Sequence, residues 1–141
     1  MQARLAAGDD PNLADRRGIT PISWAAMAGQ PEVVRSLVKA GARVDAKNSD
    51  GSTALHGGVF FGQAEAVKLL IDSGADVTIA NRSGDTPLRS AESEWNPRSV
   101  QGLAAALQLR IDLSKVEQGR DQIADLLRAT PNTDTNLRSP N

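Results

Sequence analysis

The chain contains no cysteine and no tyrosine, a single histidine, and only four aromatic rings, two phenylalanines and two tryptophans. Without cysteine there is no disulfide, no thiolate nucleophile and no Cys-ligated metal. His56 has no second histidine or cysteine with which to build a zinc site. No run of about 18 apolar residues occurs, which excludes a membrane-spanning helix. No charged-then-apolar start resembles a secretory leader. The formal net charge is −1 over 141 residues, so the basic footprint expected of a DNA or RNA binder is missing. A polybasic patch for a membrane surface is missing too. No cofactor is expected.

What the chain does have is a period. Gly18, Gly51 and Gly84 are spaced by 33 residues, as are Thr20, Thr53 and Thr86, and Gly8, Gly41 and Gly74. Ile22, Leu55 and Leu88 follow the same step, and Gly29, Glu32, Val34 and Leu37 return as Gly62, Glu65, Val67 and Leu70. A shared period at so many positions marks a repeat architecture.

One unit can be read physically. Thr20-Pro21 and Thr86-Pro87 have the form of a helix N-cap followed by proline at the first helical position. The threonine oxygen takes up an orphan amide, and proline lacks an N–H that had no partner there. "ISWAAMA" then predicts a short helix ending near Gly29. "PEVVRSLVKA" predicts a second, with Glu32 at its positive end. Val33, Val34, Leu37 and Val38 share one face of that helix. Gly41 falls where a left-handed C-cap is expected. "ARVDAKNSDG" has turn chemistry suited to a tight, hairpin-like loop. Such a unit cannot bury its apolar surface alone, so neighbours must stack.

"DRRGITPISWAAMAGQPEVVRSLVKAGARVDA" resembles an ankyrin repeat. "DGSTALHGGVFFGQAEAVKLLIDSGADVTIA" resembles a second, and "SGDTPLRSA" opens a third. The resemblance implies an all-α fold, an ankyrin-repeat solenoid of stacked helix–turn–helix units joined by hairpin-like loops. A single domain is expected over 1–130: a partial repeat at 2–14, repeats at 15–47 and 48–80, and a third repeat at 81–130. The chain starts inside a repeat, so an excised domain, a processed product or a short cap is expected. An origin outside the cytoplasm therefore stays open beside the cytoplasmic location expected here.

After Ala91 the period breaks. If Gly119 takes the place that Gly62 has in its own repeat, the third repeat carries an insertion of about 24 residues near 93–118. Asn96-Pro97 starts it, and Val100, Leu103, Ala104 and Leu107 have helical spacing. "LQLRIDL" alternates, which fits either an extended link or a helix end. Covering the open end of the stack is the expected role of this segment, with Trp95 anchoring it. The last residues, 131–141, are polar and expected to be disordered.

The resemblance also implies a binding face. In ankyrin proteins the ends of the first helices and the residues flanking the Asp/Asn-x-x-Gly turn line a concave, partner-binding surface. On this chain they are Arg16, Arg17, Ile19; Met27; Ser49, Asp50, Ser52; Phe60 and Phe61; Arg82 and Asp85. At least one of the two phenylalanine rings is expected to be exposed, and replacing both by alanine to abolish capture while sparing the thermal transition. Gly57 and Gly58 are read as sites of close helix approach, with room for a partner's side chain as the alternative. His56 is read as structural, bonding the adjoining loop. The expected function is a non-catalytic protein-protein interaction module acting as a monomer on another protein. The alternative is a structural or regulatory domain packing against a larger chain of its own. Ser23 and Ser52 lack a histidine base in the pattern, so no hydrolase arrangement is read.

Overall fold

A computed structural model describes residues 10–130. The first residues of the expected partial repeat and the whole 131–141 tail lie outside the described residues. The described residues form seven helices and no strand: α1 (Pro21–Met27), α2 (Pro31–Lys39), α3 (Ala54–Phe60), α4 (Ala64–Asp72), α5 (Pro87–Glu92), α6 (Pro97–Ala106) and α7 (Leu113–Ala129).

The helix starts follow local chemistry. Thr20 and Thr86 accept the amides of Ser23 and Arg89, with proline at the first turn of each helix. At Thr53 the reciprocal contact comes from His56, which completes a capping box. Each hairpin-like loop is held by one Asx turn, repeated at Asp15, Asn48 and Asn81. Their Oδ1 atoms accept Arg17 and Ile19, Asp50 and Ser52, and Ser83 and Asp85 amides. The turn needs a left-handed residue, which Gly18 supplies at φ 77° and Gly51 at φ 73°.

The helices stack in two rows. α1, α3 and α5 pack in sequence along one row, and α2, α4 and α7 along the other. Between the rows lies the main core, with Ile22, Ala26, Val34, Leu37, Leu55, Val59, Val67, Leu70, Ile123 and Leu127 buried. Full burial of each Leu, Ile or Val side chain contributes roughly 1.5–3 kcal/mol. Adjacent loops are tied tip to tip: Ser49 donates to the Arg17 carbonyl, and the Arg82 amide to that of Asp50. Gly57 and Gly58 allow close helix approach. A Cβ at Gly57 would lie 2.7 Å from Met27 Cγ, and one at Gly58 2.7 Å from Val67 Cγ2.

The third helix pair differs from the first two. α5 packs on α7, but α6 stands between them in the chain. Gly119 is not at a turn as Gly62 is; it lies buried within α7, which begins earlier, at Leu113. The physical reason is an N-cap at Asp112, whose Oδ1 accepts the Ser114 amide and hydroxyl. Val116 also provides a buried apolar position one turn on. Gly119 instead permits contact with the Gly62 backbone, because a Cβ there would collide with the Gly62 carbonyl oxygen. Residues 107–112 between α6 and α7 are not helical.

Candidate functional site

The residues expected to bind fall into two groups. Arg16, Arg17, Ser49, Asp50 and Arg82 are exposed at the loop tips. Ser52 and Asp85 are half-buried beside them. Asp85 is engaged by Arg89 at 3.2 Å. The tips therefore carry both signs of charge, and each is oriented by the Asx turn beneath it.

The apolar members behave otherwise. Ile19 and Met27 are 7% exposed and Phe61 only 2%. They are not an open surface in this structure, and the burial of Phe61 runs against the expectation that replacing both phenylalanines would spare the thermal transition. The cover is α6. Val100, Ala104 and Leu107 of the α6 segment and Val116 of α7 form a second apolar cluster with Ile19, Met27 and Phe61. Trp24, Phe60 and Trp95 pack partly buried against it. Neighbouring rings diverge by about 100° around a helix, so Phe61 enters this cluster while Phe60 stays half-buried at its margin.

Between α6 and the row of first helices remains a cavity of about 450 Å³. Phe60, His56 and Gly57 line it from α3, Asp50 and Asp85 from the tips, and Val100 and Leu103 from α6. Leu103, which shares the helical spacing of Val100, Ala104 and Leu107, is 41% exposed. The spacing places it between faces, and Val100, Ala104 and Leu107 take the contact instead.

His56 is buried at the floor. Its Nδ1 faces the Thr53 amide at 3.0 Å and its Nε2 the Asp85 carbonyl oxygen at 2.8 Å. A backbone amide can only donate, so Nδ1 accepts and Nε2–H donates. Burial lowers its pKa from the ordinary value, partly offset by the Asp85 carbonyl and carboxylate. The imidazole thus joins two consecutive loops as a neutral group.

Arg120 escaped sequence reading. It is 5% exposed, and its guanidinium donates to the carbonyls of Val59 at 3.2 Å, Ser90 at 2.7 Å and Ser93 at 3.3 Å. Burial lowers its pKa, while the nearby Asp121 charge raises it. Nothing in the local pattern of "QGRDQ" marks this arginine, because its partners lie 27 to 61 residues away.

Among the described residues no group of three or more His, Asp or Glu side chains could hold a metal ion. No helix among them is long and apolar enough to cross a membrane. A family model described as ankyrin repeats (3 copies) matches residues 2–81. A search of curated proteins finds no match.

Proposed function

Because the chain belongs to the ankyrin repeat family, whose members generally act by binding other proteins and not by catalysis, we propose that it is a non-catalytic module gripping a partner protein on its concave face and loop tips. The observation that carries this reading is the cleft beside the tips. Half-buried Phe60 forms one wall, and exposed Asp50 and half-buried Asp85 form the rim. An apolar anchor inside a polar rim is the anatomy of a protein interface. Phe60 adds a ring whose remaining exposed area a partner can bury, which suits a hot spot. The tips are preorganised by Asx turns, which lowers the ordering cost of association.

On this reading the third repeat spans 81–130 and carries its extra residues near 93–118, so that α6 lies over the apolar part of the binding face. The partner contacts Arg16, Arg17, Ser49, Asp50, Ser52, Arg82 and Asp85, with Phe60 at the centre. Ile19, Met27 and Phe61 contribute only where α6 is out of the way.

The test is affinity capture from native lysate with the wild type, Phe60→Ala and Arg82→Ser. The expected outcome is loss of one specific partner with Phe60→Ala, while the variant still unfolds cooperatively. Retention of every captured protein by a folded Phe60→Ala variant overturns the site.

A further inference from the structure

We propose that α6 is a displaceable strap, an intramolecular occupant of the partner-binding face, and that the partner replaces it with an amphipathic helix of its own. This rests on the concave-face reading above. The occupant is defined by what already sits there. Val100, Ala104 and Leu107, buried to 1%, 3% and 7% exposure, present small and branched apolar groups at i, i+4 and i+7 to Phe61, Met27 and Ile19. A partner helix with that pattern offers the same complement, a recurrent mode of helix recognition in grooves.

Several independent features make α6 removable. Its cluster is separate from the main core, which holds the two helix rows together without any α6 residue. Among the described residues no hydrogen bond and no salt bridge joins 94–111 to another part of the molecule. The segments that bracket it are, by contrast, tied down. Arg120 holds the Ser90 and Ser93 carbonyls, and Arg128 engages Glu92 at 2.9 Å. One flank of α6 borders the open cleft of about 450 Å³, where Leu103 stays 41% exposed. Gly102 weakens its interior, and a Cβ there would meet nothing. At its C-terminal end Gln108 has φ 59°, the left-handed conformation that a side chain disfavours. Helix end, apolar-only docking and an open flank together describe an element drawn from the low-stability end of the fold.

The strap sets affinity. A partner that needs the bare face binds only the fraction of molecules with α6 undocked, and its apparent Kd rises by the inverse of that fraction.

The absence of cysteine allows a direct test. Ala104→Cys places a thiol under the strap, and Ala26→Cys places one in the main core, where Ala26 is 0% exposed. Thiol-disulfide reagent without denaturant is expected to modify Ala104→Cys at least ~100-fold faster, because α6 opens without global unfolding. Equal rates overturn the strap. In a second arm, a fluorescein-labelled peptide of residues 94–109 is titrated into the wild type and into Val100→Asp/Ala104→Asp. The open variant is expected to bind it at least ~10-fold more tightly, since the wild type carries the same helix as an intramolecular competitor. Equal binding, or none to a folded open variant, overturns the docking face. Should that variant fail to fold, the thiol rates decide alone. Loss of the strap by these measures leaves the Phe60 capture experiment standing, whereas failure of the Phe60 capture removes the partner and leaves the opening of α6 to the thiol rates, so the two failures are distinguishable.

Discussion

Phe60 and Phe61 meet edge to face, ring centroids 5.0 Å apart with planes at 88°, yet only Phe61 is buried. The pair divides stability from recognition between consecutive residues. Phe61→Ala is expected to cost about 3–5 kcal/mol, the usual range for a buried phenylalanine. Phe60→Ala is expected to cost about 1–2 kcal/mol, since less of its area leaves water on folding. Urea denaturation of the two single variants checks this, and equal losses would contradict the division.

Arg120 links the end of α3 to the body and C-cap of α5 through three carbonyl oxygens, those of Val59, Ser90 and Ser93. Arg120→Met keeps much of the stem volume but leaves those acceptors without their donor. The expected loss is about 3 kcal/mol, from charge-assisted bonds that are replaced by nothing. Arg120→Lys is expected to recover less than half, because an ammonium lacks the fork that reaches three carbonyls. Thermal unfolding of the two variants gives the comparison.

The pH dependence follows from His56. Its folded pKa is depressed by burial, so the unfolded chain binds a proton first as pH falls. Its contribution is therefore complete above the unfolded value near 6.5 and is lost as pH falls below that toward the folded value. Stability is expected to decline as pH falls below about 6.5, with a slope no steeper than about 1.4 kcal/mol per unit. The His56→Gln variant is expected to be less stable but flat over that range. Asp76 and Asp112, both held below the ordinary carboxylate range chiefly by the hydroxyls of Thr78 and Ser114, act only at lower pH. Denaturant midpoints at several pH values separate the two windows.

Two glycines within helices should respond oppositely. Gly119→Ala drives a methyl into the Gly62 backbone and is expected to cost about 3 kcal/mol or more, since backbone must shift. Gly102→Ala meets open space and is expected to stabilise α6 by about 1 kcal/mol. Hydrogen exchange of the α6 amides resolves the second effect, which lies within one helix.

The sequence by itself determined the units. A 33-residue step in glycine, threonine and apolar positions specifies helix starts, Asx turns and the buried faces of α2 and α4. Those features depend on neighbours a few residues away, where capping, left-handed turns and helical spacing act. His56 was legible only through the family resemblance, as a bond to the adjoining loop, which is the Asp85 contact; its capping contact with Thr53 came from the structure. The tertiary structure alone decided where α6 lies, that it buries Phe61, Met27 and Ile19, that α7 runs through Gly119, and that Arg120 is interior. An apolar stripe specifies that a helix must cover something and carries no information about what. Contacts across 27 to 61 residues are fixed by packing, which local spacing does not encode.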